Sequence, residues 1–297
     1  MFVAIILYLC TMFRKLGVLI VILMLAVSCN KRYEQAMKST DKDLILKTAN
    51  ELFAEGKYAF AIELYSKVAS SFSGTEEAAN ILYNSAEANF QDKNYRLAAH
   101  QFKNFYVTNP VDPRAEDAAY KSAYSYYTDS PKYNLDQTST YSAMTELQAF
   151  INMFPESPNV AQANGYIDEL RQKLERKAFE IAKIYHKTLK FKAAAIAFDN
   201  MLDEYPDTKY REEAMMYSLR SKQELALNYS RFETEELRMQ NTITQYKLLM
   251  KAFPETKYKD EADKILKKTE EALIKHKELT AKIEENKKAV ANNAQTK

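Results

Sequence analysis

One stretch of the sequence constrains the fold more than any other. Residues 44–73 read LILKTANELFAEGKYAFAIELYSKVASSFS, with small residues at Ala49 and Ala61 and large apolar residues spaced three and four positions around them. Small side chains allow two antiparallel helices to approach closely. Gly56 stands where the first helix would end, because glycine adopts a left-handed backbone conformation at the lowest cost. The stretch therefore predicts one helix–turn–helix unit.

This unit resembles a tetratricopeptide repeat, whose usual length is about 34 residues. The ends of similar units recur along the chain as VTNPVDPRAEDA, NMFPESPNVAQA, DEYPDTKYREEA and KAFPETKYKDEA. In each, a proline ends one helix and polar residues begin the next. The landmark prolines are Pro110, Pro155, Pro206 and Pro254, so the repeats are longer than the usual length and irregular.

These features predict an all-α fold. We expect a tetratricopeptide-like α-solenoid of about five irregular repeats over residues 44–285, closed by a C-terminal capping helix with one apolar stripe. The extra length is assigned to loop insertions near 129–141 and 228–240 and to a longer linking helix around 164–177. Residues 286–297 show no periodicity and are expected to be disordered.

The front of the chain predicts export. An apolar run over residues 17–27 follows Arg14 and Lys15 and precedes Ser28 and Cys29, which is the pattern of a signal peptide over residues 1–28. The run is shorter than the roughly 20 apolar residues that span a bilayer. The segment Ala-Val-Ser-Cys looks like a bacterial lipobox, which would make Cys29 the lipid-bearing first residue of the mature chain.

Two details of this region are further expectations. A second apolar run precedes the basic residues, so we expect translation to start at Met12. An uncleaved membrane anchor beginning at Met1 is the alternative to a lipoprotein. The polar residues 29–43 are expected to form a lipid-anchored tether.

Composition argues against several classes of function. The chain has 42 basic and 40 acidic residues, so it offers no strongly basic surface to nucleic acid. Its three histidines have no histidine or cysteine at metal-ligand spacing, and its four isolated glycines form no phosphate-binding loop. We therefore expect a binding protein and not an enzyme, with no cofactor and no metal.

Aromatic residues supply the candidate binding site. In a tetratricopeptide array the first helix of every unit lines a concave groove, and counting outward from each small crossing residue marks the positions that face it. Tyrosine offers contact area with a hydrogen-bonding tip, which suits an extended peptide. The groove candidates are Phe53, Tyr83, Phe90, Tyr120, Tyr124 and Tyr127. The alternative is that these aromatic residues pack against the insertion loop or the next helix.

The lipobox together with about five irregular repeats and the YPDTKYREEA turn is similar to the outer-membrane assembly lipoproteins of the BamD family. This resemblance implies a protein anchored by its lipid to the outer membrane, on the periplasmic side, within the β-barrel assembly machinery. The implied partners are a BamA-like barrel subunit, held by the C-terminal units over about 185–274, and unfolded outer-membrane proteins, received by the N-terminal units.

A second interpretation of the same fold stays open. The chain could be a periplasmic tetratricopeptide adaptor lipoprotein that serves cell-wall or other envelope enzymes and has no barrel partner. Depletion separates the two, because only loss of an assembly scaffold lowers many barrel proteins together.

Overall fold

A computed structural model of the chain describes residues 31–295, and its regular elements in that range are helices. The predicted signal peptide, the start at Met12 and the lipid site at Cys29 lie outside the described residues. The helices are α1 (31–38), α2 (Lys42–Ala54), α3 (Tyr58–Val68), a short 3-10 turn (Ala69–Phe72), α4 (Glu76–Gln91), α5 (Tyr95–Thr108), α6 (Ala115–Asp129), α7 (Thr138–Met153), α8 (Val160–Lys187), α9 (Phe191–Glu204), α10 (Arg211–Asn228), α11 (Phe232–Ala252) and α12 (Lys259–Gln295).

These helices fall into two compact units. The first comprises the described residues up to Pro131 together with Asp136–Asp168, and the second comprises Lys132–Leu135 and the residues from Glu169 onward. The boundary lies within the long helix α8. Along residues 31–295 no helix has both the length and the apolar composition that crossing a bilayer requires.

Successive helices form the five predicted hairpins: α2 with α3, α4 with α5, α6 with α7, α8 with α9, and α10 with α11, followed by α12. The small residues at the helix crossings, which include the predicted Ala49 and Ala61, are fully buried, which is what close approach of two backbones requires. They are Ala49, Ala61, Ala86, Ala98, Ala123, Ala143, Ala182 and Ala194. The all-α class and the tetratricopeptide-like packing order are confirmed within each unit.

The turn inside three of these hairpins uses one left-handed residue. Gly56 has φ +74° in the first hairpin, as its position predicted, while Lys93 has φ +64° in the second and Leu189 has φ +60° in the fourth. A residue with a β-carbon pays about 1–2 kcal/mol for this conformation, and glycine does not. Leu189 is therefore an unfavourable choice for the turn alone.

The repeated proline turns are tied to the preceding hairpin by a threonine. Thr208 donates a hydrogen bond of 2.9 Å to the carboxylate of Glu175 and accepts one from the backbone N–H two residues later. Thr256 repeats the arrangement, donating to Glu212 over 2.6 Å. Both threonines are buried, so each hydroxyl satisfies a carboxylate oxygen and a backbone donor that would otherwise be costly to bury.

The structure corrects the prediction of a tether over residues 29–43. Residues 31–38 form α1, which packs against the first hairpin through Tyr33 and the fully buried Ala36. The ammonium group of Lys67 donates to the carbonyl oxygens of Met37 and Ser39 at the end of α1. Apolar residues three positions apart form a buried face here, although most of the segment is polar.

The extra length of the third and fifth repeats takes two different forms. A loop does separate α6 from α7 between Asp129 and Thr138, as expected near 129–141. The second prediction is wrong, because only three residues separate α10 from α11 and most of 228–240 belongs to α11. Glutamates in the first turn of α11 favour its helical start, since they face the positive end of the helix dipole.

The prediction of a disordered tail over 286–297 is also wrong for the residues that the structure describes. Helix α12 continues to Gln295, well beyond the capping segment expected to end near Glu285. Its last turns are rich in alanine and lysine, which have high intrinsic helix propensity. The longer linking helix predicted around 164–177 is present as part of α8.

Candidate functional site

Half-buried aromatic side chains from three successive first helices meet in the first unit. Phe90 of α4 lies 6.0 Å from Tyr124 of α6 between ring centroids, and Tyr124 lies 6.0 Å from Tyr127 and 5.5 Å from Tyr166 of α8. Tyr127 and Tyr166 stack at 4.1 Å. With Tyr120, these residues form what we call the tyrosine cluster. Three of its members come from the stripe that the sequence predicted on one helix.

Tyr120 extends the cluster toward α7 and α8. Its ring lies 6.2 Å from Tyr124 and 5.4 Å from Phe150, and its hydroxyl donates to the side-chain oxygen of Gln162 over 2.8 Å. The Gln162 amide in turn donates to the hydroxyl of Tyr166 over 2.6 Å. Burial and the neighbouring Tyr166 raise the pKa of Tyr120. The rings therefore present apolar faces while two hydroxyl tips belong to one hydrogen-bond chain.

A polar network borders the cluster on α4 and α6. The hydroxyl of Tyr83 donates to the carboxylate of Asp117, and burial followed by that bond raises the pKa of Tyr83 to about 12. Lys121 reaches Glu87 over 2.8 Å and Asp117 over 3.0 Å. The cation is thus already shared by two carboxylates, which leaves this network little attraction for an anionic group on a ligand.

Tyr83 packs against buried aromatic residues of its own hairpin. Its ring lies 5.8 Å from Phe102 and 5.1 Å from Phe105 of α5, with the guanidinium of Arg114 5.0 Å from its centroid. Phe90 also contacts Phe102, at 6.4 Å. Tyr83 is therefore linked to the cluster through the buried Phe102, which contacts both Tyr83 and Phe90.

Phe53 is the groove candidate that the structure places elsewhere. Its nearest rings are Tyr58, at 5.7 Å, and Tyr65, at 6.4 Å, both in its own hairpin. Across the described residues no ring contact connects Phe53 with the tyrosine cluster. It packs against the core of the first hairpin instead.

Sequence reasoning missed Tyr166, the residue that completes the cluster. The sequence predicts a linking helix over residues 164–177, outside the repeat pattern, so Tyr166 is not among the predicted groove residues. A signal was present, because Tyr166 follows the fully buried Ala163 by three residues, much as Tyr127 follows Ala123 by four. The alternative reading of the stripe is thus partly correct, since Tyr120, Tyr124 and Tyr127 contact residues of the next first helix.

Two of the three histidines make structural contacts. His186 hydrogen-bonds Ser221 over 2.9 Å, and burial lowers its pKa. His276 pairs with Glu235 over 3.0 Å, and His100 is exposed. Within residues 31–295 no group of three or more histidine, cysteine, aspartate or glutamate side chains could hold a metal ion.

Comparison with known proteins agrees with the sequence resemblance. The family model described as YfiO, outer membrane lipoprotein, matches residues 37–237, which is more than half of the chain. The outer membrane protein assembly factor BamD of Haemophilus influenzae is 22% identical over 229 residues, covering 74% of this chain and 87% of the relative. BamD of Pasteurella multocida is 24% identical over 207 residues, covering 64% and 80%.

Among solved structures, the TPR domain of P58(IPK) is similar with a TM-score of 0.36 and 13% identity, covering 82% of this chain and 68% of that chain. This likeness is too weak to add to the argument for the fold. The family match is what assigns the chain to a family, and that family agrees with the prediction that the chain is not an enzyme. The chain belongs to the YfiO family of outer membrane lipoproteins.

Proposed function

We propose that this chain is a lipid-anchored, periplasm-facing scaffold subunit of the outer-membrane β-barrel assembly machinery. It binds unfolded outer-membrane proteins through the tyrosine cluster of the first unit and a BamA-like barrel subunit through the second unit, over about 185–274. The observation that carries the proposal is the joining of Phe90, Tyr124 and Tyr166 from three first helices in a chain of this family.

The chemistry of the cluster supports a client with an aromatic side chain. Stacked and tilted rings with hydroxyls at their edges offer a further aromatic ring a contact worth about 0.5–1.5 kcal/mol beyond its buried area. The neighbouring Lys121 is paired with Glu87 and Asp117, so recognition rests on rings and not on a carboxylate of the client. Barrel strands alternate apolar and polar residues, and extended segments of this kind suit such a surface.

The docked helix α1 supports the proposed anchor. Cys29 precedes the described residues by two positions, a reach of about 7 Å of extended chain. A lipid on Cys29 would therefore hold α1, and the first hairpin that α1 packs against, close to the membrane surface. We place the protein at the outer membrane on its periplasmic side.

Controlled depletion tests the proposed function. When synthesis of the chain is stopped, we expect many barrel proteins to fall together in the outer membrane, measured by quantitative mass spectrometry of that fraction. Lipoproteins and periplasmic proteins of similar turnover serve as the control set. Unchanged barrel levels with altered cell-wall synthesis would overturn the proposal and favour the adaptor for envelope enzymes.

A further inference from the structure

The turn between α8 and α9 in the second unit carries an exposed leucine in a conformation that suits glycine. Leu189 has φ +60° and is 62% exposed, so its side chain gains little from burial in the fold. The first hairpin has Gly56 at the same turn, which shows that the architecture accepts glycine there. A leucine that serves neither the turn nor the core points to a contact outside the chain.

Two cavities lie on either side of this turn and share the same apolar residues. One has a volume of about 570 Å³ and the other about 640 Å³, and Leu189, Phe191 and Tyr229 line both. The ring of Tyr229 is 54% exposed and lies 5.3 Å from that of Phe191. Ile196, at 51% exposure, extends the first cavity. We call the three shared residues, together with the mainly apolar first concavity and the more polar second one, the Leu189 surface.

Lysines surround the Leu189 surface. Lys190 and Lys192 line the first cavity, and Lys187, Lys264 and Lys268 line the second. Within residues 31–295 none of these five forms an ion pair, although Lys264 lies near enough to Glu261 to help lower the pKa of that carboxyl. Two carboxylates also line the second cavity: Glu261 is held by Arg220 over 2.6 Å, and Glu224 accepts a hydrogen bond from Asn228. The surface therefore carries an excess of positive charge in a chain whose totals are nearly balanced.

We propose that the Leu189 surface binds a segment of a protein partner in which apolar side chains are flanked by carboxylates. The apolar side chains would enter the concavities beside Leu189, and the carboxylates would meet the rim of lysines. The inference deepens the proposed function and rests on it for a protein partner at the second unit. Two concavities fit the protruding side chains of a protein segment better than they fit the flat face of an anionic bilayer.

The test uses two synthetic 15-residue peptides with the same leucine and phenylalanine positions, one with glutamates and one with lysines between them. Binding to the purified full chain, held in nanodiscs of zwitterionic lipid, is measured by fluorescence anisotropy. Leu189→Gly removes the side chain and keeps the turn, and we expect the Kd of the acidic peptide to rise at least tenfold. Lys93→Gly makes the matched change at the turn of the second hairpin and should leave Kd unchanged.

A second pair of variants tests the lysine rim. The double variant Lys190→Glu with Lys192→Glu should weaken binding of the acidic peptide and strengthen binding of the basic one. Lys282→Glu with Lys287→Glu makes the same charge change on exposed positions of α12 and should do neither. Melting temperatures show whether each variant is folded.

Three results would overturn the inference: equal binding of the acidic peptide to Leu189→Gly and the unaltered chain, equal binding of both peptides, or binding of vesicles rich in phosphatidylglycerol with no binding of either peptide. The proposed function is judged separately by barrel levels after depletion. Peptide binding that fails while depletion still lowers barrel proteins would reject the Leu189 surface alone.

Discussion

Tyr127 of α6 and Tyr166 of α8 stack with their ring centroids 4.1 Å apart and their planes 24° apart. The pair connects α6, the first helix of the third hairpin, to α8, the first helix of the fourth. Tyr124 contacts both rings. These contacts contribute to packing, and the proposed recognition of clients would use the same side chains. Variants must therefore separate loss of binding from loss of the fold.

Replacing Tyr166 by alanine should lower the stability of the first unit. The change removes the stack with Tyr127, the contact with Tyr124 and the hydrogen bond from Gln162. For a half-buried tyrosine we expect a loss of about 1–3 kcal/mol in the free energy of unfolding, measured by urea titration followed by circular dichroism.

Tyr141→Ala is the matched control, because Tyr141 lies on α7 with 56% of its surface exposed. It should change the unfolding free energy by less than about 0.5 kcal/mol. Equal changes in unfolding free energy for the two substitutions would show that the contacts of Tyr166 in the tyrosine cluster do not stabilise the first unit.

Replacing Lys67 by methionine should loosen α1. The Lys67 ammonium donates to the carbonyl oxygens of Met37 and Ser39 at the C-terminal end of α1, where a positive charge also suits the helix dipole. Loss of these bonds should speed amide hydrogen exchange in residues 31–38 by roughly 10- to 100-fold, in line with a charged hydrogen bond worth about 1.5–3 kcal/mol.

Lys47→Met tests whether a missing charge alone loosens α1, because Lys47 is exposed on α2. Exchange in residues 31–38 should stay at its original rate in this variant. If Lys67→Met also left exchange unchanged, the tether first expected from the sequence would be the better description of this segment.

Asp112 should give the turn before α6 a pH-dependent stability. Its carboxylate accepts hydrogen bonds from the guanidinium of Arg114, at 2.7 Å and 2.9 Å, and from the backbone N–H of Arg114, and these hold the pKa of Asp112 down at about 2. A carboxyl whose pKa is lower in the folded state stabilises the fold above its unfolded pKa, near 3.9. That contribution is lost as the pH falls from about 4 through about 2.

Asp112→Asn removes the charge and keeps an oxygen for the backbone bond. At pH 7 we expect it to lower the unfolding free energy by roughly 0.5–1 kcal/mol, a modest value because the pair is partly exposed to solvent. Urea titrations of both proteins between pH 7 and pH 2 should show the difference shrinking below pH 4. A difference that stayed constant down to pH 2 would rule out the ion pair as its source.

Replacing Cys29 by alanine tests the anchor. Without the thiol no lipid can be attached, so the chain should leave the outer-membrane fraction or keep its signal peptide. Fractionation followed by mass spectrometry of the N-terminal peptide distinguishes these results. A variant that stayed in the outer-membrane fraction without a lipid would contradict the lipoprotein interpretation.

Much of the architecture could be predicted because it depends on local patterns. Buried alanines such as Ala49 and Ala61, the left-handed Gly56 and the proline turns are each visible within a few residues of sequence. The long α11 was not predicted, since an irregular apolar spacing in a polar segment looks like a loop when no glycine or proline is there to decide.

The tyrosine cluster was harder to predict because it depends on contacts between repeats. The Tyr120, Tyr124 and Tyr127 stripe follows from helical spacing, but the choice of Tyr166 as its partner depends on how α6 and α8 pack. Phe53 occupies the equivalent position in the first hairpin and nevertheless packs within it, since Tyr58 and Tyr65 of the same hairpin are within reach.

We propose above all that the tyrosine cluster binds aromatic-ended segments of unfolded barrel proteins. The most direct measurement is the affinity of a fluorescent ten-residue peptide with alternating apolar residues and a terminal phenylalanine for the chain, compared with the same peptide ending in alanine. Tyr124→Ala should raise the Kd of the phenylalanine peptide at least fivefold with little loss of helicity, and Tyr141→Ala should not change it. Equal affinity of both peptides, or of the Tyr124→Ala and unaltered chains, would contradict the claim.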